Sequence, residues 1–237
     1  MRKNRIPVRL LAALLLAAGA CRHAAPGAKA YVPAPAYYTS GASLETLPLA
    51  PPPAAGSAAD GEDIAQVKAW QGKRTPADCA RAAAEAKPGY DSFFGRVGPF
   101  LQPLPPEVDA FFGHVRGDTF RAVGVWKEKV RRPRPFVRHG ALRPCITAPK
   151  GDSQSYPSGH AALARVIGLI LAEMVPERGP EFLARADEAG LDRVIGGVHH
   201  PTDVAAGKAL ADEVYAVLLQ SPTFVAERES VRRFIKR

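Results

Sequence analysis

The sequence lacks any long apolar run beyond its N-terminal region. The run from Leu10 to Ala20 has eleven residues, whereas a membrane helix needs about 20. Basic residues precede this run and small residues end it, which is typical of a secretory signal. We therefore predict a signal peptide over residues 1–20, a periplasmic or otherwise exported mature protein, and no membrane span. The basic residues are Arg2, Lys3, Arg5 and Arg9.

Cysteine is also scarce, with three residues in 237. Cys21 follows the signal and resembles the acylated cysteine of a bacterial lipoprotein, although Ala18 stands where such signals usually have Leu. A lipid anchor at Cys21 and ordinary cleavage both stay open. Cys79 and Cys145 would fold in a compartment where disulfides persist. The sequence allows a disulfide between them or two buried free thiols.

Neither a metal site nor a nucleic-acid surface is apparent. The six histidines and 23 acidic residues show no metal-ligand spacing such as His-Glu-x-x-His, so we predict no metal and no cofactor. Removal of residues 1–20 lowers the formal net charge from +9 to +5. The remaining basic residues form no long tract, and a nucleic-acid partner is not expected.

Strand patterns are hard to find, and helical patterns dominate the chain. A Pro/Ala-rich tether is predicted over residues 21–43, loose as far as about Tyr38, followed by one folded domain over residues 44–237. From Ser158 to Met174 apolar residues occupy nearly every helical face, which predicts a central helix surrounded by others. We expect an all-α bundle. Further helical patterns cover 62–70, 106–130, 180–189, 202–219 and 223–236, and Thr75 can cap another helix that begins at Pro76.

Three short segments stand out by their joint spacing. Lys127 is followed after six residues by Arg134-Pro135, then comes Pro157-Ser158-Gly159-His160, and Arg193 is followed by His199 and Asp203 at intervals of five and three residues. Each segment alone is common. In this order they resemble the type 2 phosphatidic acid phosphatase superfamily, which includes bacterial class A acid phosphatases, lipid phosphatases and vanadium haloperoxidases. Class A is the best match, from about residue 44 to the C-terminus.

The residue types of these segments suit phosphate chemistry. A transferring phosphoryl group spreads charge over three oxygens, which fixed cations must meet. Arg134 and Arg193 offer planar forks and Lys127 a compact charge. Ser158 and Gly159 would open a helix whose free N–H groups bind an anion. We predict that all five bind phosphate.

The resemblance implies the remaining roles. His199 attacks phosphorus and His160 protonates the leaving oxygen, while Asp203 on the same helical face as His199 would fix its tautomer. We expect a metal-independent acid phosphatase that hydrolyses small phosphate monoesters through a phosphohistidine, on a fold like that of the acid phosphatases and vanadium haloperoxidases. Residues 44–237 would be the catalytic domain. An acidic optimum follows if His160 must first be protonated.

One position departs from the family pattern. Asp192 precedes Arg193, where the family usually has Ser, and a carboxylate facing phosphate would repel it. We expect Asp192 to point away or to pair with Arg193. His200 is predicted to lie at the surface or pocket rim, and His114 and His139 are predicted to be structural.

Three other functions stay open. A vanadium-dependent haloperoxidase would hold vanadate in the same pocket, although such enzymes are typically much larger. A lipid phosphate phosphatase would share the motifs, and a non-catalytic protein could keep the phosphate cradle without turnover. The sequence leaves the physiological substrate and homo-oligomer formation open.

Overall fold

The computed structural model describes residues 36–147 and 154–236, which form ten α-helices and no strand. Two isolated antiparallel bridges join Phe100 to Ile235 and Pro133 to Gln154. The predicted all-α class is confirmed. The helices are α1 (Gly41–Glu45), α2 (Ala58–Lys73), α3 (Pro76–Ala84), α4 (Tyr90–Phe94), α5 (Pro106–Val130), α6 (Pro135–Arg138), α7 (Gly159–Met174), α8 (Gly179–Ile195), α9 (Pro201–Leu218) and α10 (Pro222–Val231), with 3-10 turns at Pro176–Arg178 and Arg232–Phe234.

Local capping explains where the helices begin. Thr75 caps α3 as predicted, and its side chain and that of Asp78 form a reciprocal capping box. Ser57 and Ser158 cap α2 and α7 by accepting a backbone N–H at their hydroxyl groups. Helix α5 covers the predicted range and ends at Val130, before Arg131, a left-handed residue with φ of 50°. The sequence patterns therefore located the long helices, whereas the short helices α1, α4 and α6 were not predicted.

Helix α7 is the central helix of the bundle, as predicted. Twelve of its 16 residues are buried, and it packs against α5, α8 and α9. Close approach depends on small residues: a Cβ at Gly168 would lie 3.2 Å from the Cβ of Ala186 in α8. A Cβ at Gly207 in α9 would collide with the Ser158 carbonyl. These contacts bring the start of α9 against the start of α7.

The last residues of the predicted tether are packed rather than loose. Asp118 of α5 accepts hydrogen bonds from the N–H groups of Tyr37 (2.5 Å) and Tyr38 (2.9 Å). The Tyr38 ring is buried against Phe111 and Phe224. The expectation of a loose chain as far as Tyr38 is therefore wrong for these two residues, because Asp118 binds both backbone N–H groups and the Tyr38 ring has apolar partners. The predicted signal peptide and Cys21 lie outside the described residues.

A disulfide joins Cys79 in α3 to Cys145 in the segment after α6, across 66 residues of sequence. This decides between the two states that the sequence left open. The bond ties α3 to the segment that accompanies the end of α8, where Cys145 N–H donates to Gly196 O at 3.1 Å. Among the residues described, no helix is both long enough and apolar enough to cross a membrane.

Candidate active site

The first and second motif segments meet in a short antiparallel contact. The Ser155 N–H donates to Arg132 O at 2.6 Å, beside the Pro133 to Gln154 bridge. Arg134 lies between two prolines and has the predicted extended backbone, with φ of −66° and ψ of 155°. From the last turn of α5, the Lys127 ammonium donates to Gln154 O at 2.8 Å. The two segments thus bring Lys127 and the stretch around Arg134 against the residues that lead into α7.

Ser158 and Gly159 open helix α7. The Ser158 hydroxyl accepts a hydrogen bond from Ala161 N–H at 3.4 Å, and the Ser158 N–H donates to Asp203 O at 2.9 Å. A Cβ at Gly159 would lie 2.7 Å from the Phe120 ring of α5. Close packing of α7 on α5 therefore already requires glycine here, a reason that the sequence did not reveal. A role of Gly159 in phosphate binding stays a prediction.

His199 lies in the loop between α8 and α9, buried, with its two ring nitrogens in different surroundings. Arg134 Nη1 lies 3.2 Å from His199 Nε2. A guanidinium can only donate, so Nε2 must carry the lone pair. His199 Nδ1, 3.7 Å from Asp203 Oδ2, carries the hydrogen. Burial lowers the pKa of His199 to about 3, and the Arg134 charge acts in the same direction, so the ring is neutral near pH 7.

Asp203 is fully buried in the first turn of α9 and accepts hydrogen bonds at both carboxylate oxygens. Oδ1 accepts from Arg132 at 2.7 Å. Oδ2 accepts from the Ser155 hydroxyl at 2.5 Å and from both the backbone N–H and the Nδ1 of His200 at 2.8 Å. Burial alone would raise the pKa of Asp203, but the neighbouring His199 side chain and the hydrogen bond from His200 hold it well below its usual range. The group is therefore a carboxylate.

Two expectations about this region are wrong. His200 is completely buried instead of lying at the surface or rim, and its imidazole is nearer to Asp203 than that of His199. His199 also shares no helical face with Asp203, because α9 begins only at Pro201. The proline stops the helix from extending back to His199. His199 therefore approaches Asp203 from the loop before α9, and Asp203 lies in the first turn of that helix.

Arg132 connects the Asp203 carboxylate to helix α2. Its Nη2 donates to Asp60 Oδ1 at 3.1 Å and to Asp63 Oδ2 at 2.8 Å, while Nη1 also reaches the Thr202 hydroxyl at 2.8 Å. Arg132 is 6% exposed, so these ion pairs are shielded from water. The sequence showed only a basic loop here, and nothing in it distinguished Arg132 from Arg131.

His160 and Arg193 both reach the C-terminal end of α3. His160 Nε2 lies 3.1 Å from Glu85 O, so Nε2 carries the hydrogen. Arg193 Nη1 donates to Ala82 O at 3.4 Å. Burial lowers the pKa of His160 well below its usual value, and Arg193, His199 and Arg134 reinforce this. Burial and then Arg134 lower the pKa of Arg193 to about 10, which leaves it charged near pH 7.

Asp192 points away from the predicted phosphate site. Its buried carboxylate accepts from Arg81 Nε at 3.1 Å and from Arg81 Nη2 at 2.8 Å. The sequence left two orientations open, and the structure shows the one in which Asp192 points away. Its partner is Arg81 rather than Arg193. The carboxylate that replaces Ser is thus neutralised by a cation from α3.

Most of the predicted site residues lie around His199, and all of them are buried except Lys127, which is half-buried. Arg134 and Asp203 flank its ring, the charge of Lys127 also acts on it, and His160 is influenced by Arg193, Arg134 and His199. The sequence did not identify the three side chains that donate hydrogen bonds to Asp203, which are Arg132, Ser155 and His200. No cluster of three or more His, Cys, Asp or Glu side chains suited to a metal ion occurs within the described ranges.

Comparison with known proteins identifies the family. The PAP2 superfamily profile matches residues 116–223. A non-specific acid phosphatase of Providencia stuartii is 30% identical over 201 residues, which cover 80% of this chain and 79% of that protein. The chain belongs to the PAP2 superfamily. A non-specific acid phosphatase of Salmonella typhimurium is 38% identical to this PAP2 chain over 108 residues, 45% of the chain and 43% of that protein.

A solved structure shows the same fold. A bacterial vanadium-dependent iodoperoxidase superimposes on this PAP2 chain with a TM-score of 0.52 at 16% identity, over 75% of the chain and 53% of the peroxidase chain. The resemblance noted from the motifs is confirmed, and so is the fold. This PAP2 member is an acid phosphatase-like phosphatase, a phosphoric monoester hydrolase. The eight predicted site residues all lie within the matched range.

Proposed function

We propose that this protein hydrolyses small phosphate monoesters without a metal, through a phosphohistidine formed on His199. The observation that carries the proposal is the contact between Arg134 Nη1 and His199 Nε2. It directs a ring lone pair toward a cation in a buried site. A phosphoryl group bound by that cation would meet the lone pair in position for attack.

The carboxylate behind the ring supports the attack. When His199 Nε2 bonds to phosphorus and the bond to the leaving oxygen breaks, the ring acquires a positive charge. Asp203, held ionised by its donors, stabilises that charge from the Nδ1 side. Lys127, Arg134 and Arg193 meet the three outer phosphate oxygens, together with the Ser158 hydroxyl.

His160 handles the leaving-group proton in this proposal. It is neutral in the unliganded protein and keeps its Nε2 hydrogen on Glu85 O. A bound phosphate dianion offsets the neighbouring cations and raises the pKa of His160, so the ring takes up a second proton below neutral pH. His160 gives this proton to the leaving oxygen. It then takes one from the water that breaks the phosphorus to nitrogen bond, and inorganic phosphate leaves.

Export completes the proposal. The Cys79 to Cys145 disulfide fits folding in an oxidising compartment, in agreement with the predicted signal peptide. We propose a periplasmic or otherwise exported enzyme. Lipidation of Cys21 would be settled by mass spectrometry of the mature N-terminus.

Hydrolysis of p-nitrophenyl phosphate between pH 4 and 8 in EDTA tests the chemistry. Activity should persist in EDTA, and a denaturation-stable, acid-labile phosphoenzyme should form. His199→Ala should lose both, with activity falling at least about 10³-fold. His114→Ala is the matched control, because this half-exposed histidine stacks on Tyr37 far from the motifs. Activity that appears only on addition of a divalent metal would contradict the mechanism.

The alternative activities need separate assays of the same preparation. Bromide oxidation with vanadate and peroxide tests the haloperoxidase function, and release of phosphate from a lipid phosphate in micelles tests the lipid phosphatase function. A protein that binds phosphate but hydrolyses none of these substrates would be an anion-binding protein. We expect the soluble monoester to be the best substrate.

A further inference from the structure

The C-terminal end of α3 supports two of the proposed active-site groups. Its last carbonyl groups have no partner within the helix and carry the negative end of the helix dipole. Ala82 O accepts from Arg193, and Glu85 O accepts from His160. Both receiving carbonyls lie within four residues of each other. Any movement of α3 would therefore shift the proposed general acid and one phosphate-binding cation together.

Arg193 has little else to hold it. Within the described part of the chain, its Nε has no hydrogen-bond partner although it is buried, and its bond to Ala82 O is long at 3.4 Å. Arg193 is 2% exposed, so bulk solvent is kept away from its guanidinium. Its position depends on how firmly α3 and α8 are joined.

The Arg81 to Asp192 ion pair contributes to that join, beside the pair between Arg185 of α8 and Glu85 at the end of α3. Arg81 leaves α3 one residue before Ala82, and Asp192 precedes Arg193 in α8. The forked contact through Arg81 Nε and Nη2 restricts both distance and orientation. Asp78 adds a bond to Arg81 Nη1 at 3.0 Å, and this holds the guanidinium along α3.

We propose that Arg81, acting through Asp192, is a positioning residue that fixes His160 and Arg193 for phosphoryl transfer. The proposal rests on the proposed function. It also gives Asp192 a purpose where the family usually has Ser: the carboxylate recruits a cation from α3 and stays out of the phosphate site.

The test compares two substrates in the variants Arg81→Ala, Arg81→Lys and Asp192→Ser. p-Nitrophenyl phosphate has a good leaving group that needs no protonation, whereas glycerol 2-phosphate needs a proton from His160. Arg81→Ala should lower kcat/KM for glycerol 2-phosphate about tenfold more than for p-nitrophenyl phosphate. It should also raise the inhibition constant of inorganic phosphate several-fold through Arg193.

Arg81→Lys keeps the charge but not the fork. The ratio of kcat/KM between the two substrates should therefore lie between that of wild type and that of Arg81→Ala. Asp192→Ser should reproduce the effect of Arg81→Ala, and the double variant should be no worse than either single one. The matched control is Arg165→Ala, which removes another interhelical Arg to Asp pair, Arg165 to Asp212 at 2.9 Å. It should leave the ratio between the substrates unchanged.

The outcomes separate the two proposals. If Arg81→Ala lowers both substrates equally and leaves phosphate inhibition unchanged, as a purely structural contact would, the positioning role is overturned while the phosphohistidine mechanism stands. If the wild-type protein forms no phosphoenzyme, the proposed phosphohistidine mechanism itself is contradicted. Should Arg81→Ala unfold, Arg81→Lys and Asp192→Ser still give the substrate ratio in folded protein, as judged by thermal unfolding.

Discussion

Arg132 Nη1 donates to Asp203 Oδ1 at 2.7 Å in a part of the protein that excludes water almost completely. This pair joins the loop of the first motif to the carboxylate of the third. The same guanidinium also binds two aspartates of α2. The acidic residue behind His199 is therefore anchored to a helix outside the motif segments.

Arg132→Ala should destabilise the fold strongly. It would leave the Asp60, Asp63 and Asp203 carboxylates without a shared cation, and breaking a buried pair costs about 3–5 kcal/mol. Urea unfolding measures this free energy. The adjacent Arg131→Ala is the control, because Arg131 makes a well-exposed pair with Glu128; it should cost less than about 1 kcal/mol. Equal effects of the two variants would refute the buried anchor.

His200→Ala should lower the free energy of unfolding by about 1.5–3 kcal/mol, because Asp203 loses a charge-assisted hydrogen bond. Activity should fall far less than in His199→Ala, since Arg132 and Ser155 still hold the carboxylate. Urea unfolding and p-nitrophenyl phosphate kinetics measure the two effects. An unchanged free energy of unfolding, or activity lost as completely as in His199→Ala, would contradict this account.

The buried His199 and His160 should make the protein less stable as the pH is lowered below about 6.5. The folded pKa of His199 is about 3 and that of His160 is also lowered, whereas both titrate near 6.5 when unfolded. Between these values the unfolded chain binds more protons, so each histidine lowers the free energy of unfolding by up to about 1.4 kcal/mol per pH unit. Asp203 titrates below this window, because its unfolded pKa is near 3.8.

Thermal unfolding from pH 7.5 to 4.5 measures this slope. His199→Gln should flatten it, and saturating inorganic phosphate should also flatten it, because the bound anion raises the histidine pKa values. A His199→Gln variant with the same pH slope as wild type would show that His199 is not buried as a neutral ring.

Removing the disulfide should cost about 4 kcal/mol, as expected for a closed loop of 66 residues. The double variant Cys79→Ser/Cys145→Ser should therefore melt at a lower temperature than wild type. Dithiothreitol should lower the melting temperature of wild type but leave that of the double variant unchanged. Wild type that melts at the same temperature with and without the reductant would contradict a stabilising bond.

Much of the fold could be predicted from local patterns. The apolar spacing in α5 and the apolar faces of α7 are set by which residues can be buried, and caps such as Thr75 act within one turn. The motif spacing likewise indicated Lys127, Arg134, His160, Arg193 and His199 as one set. The helices of four or five residues were missed because they contain too few turns to show a period.

The sequence by itself determined the helical class, the central helix and which side chains are proposed to handle phosphate, because these depend on residue type and on spacing along the chain. Only the tertiary structure decided that Asp192 turns to Arg81, that His200 is buried beside Asp203, and that α3 carries the carbonyls for His160 and Arg193. These contacts join residues 75 to 111 positions apart or depend on a proline that starts a helix one residue after His200. Neither relation leaves a periodic signal in the sequence, because it is set by how whole helices pack.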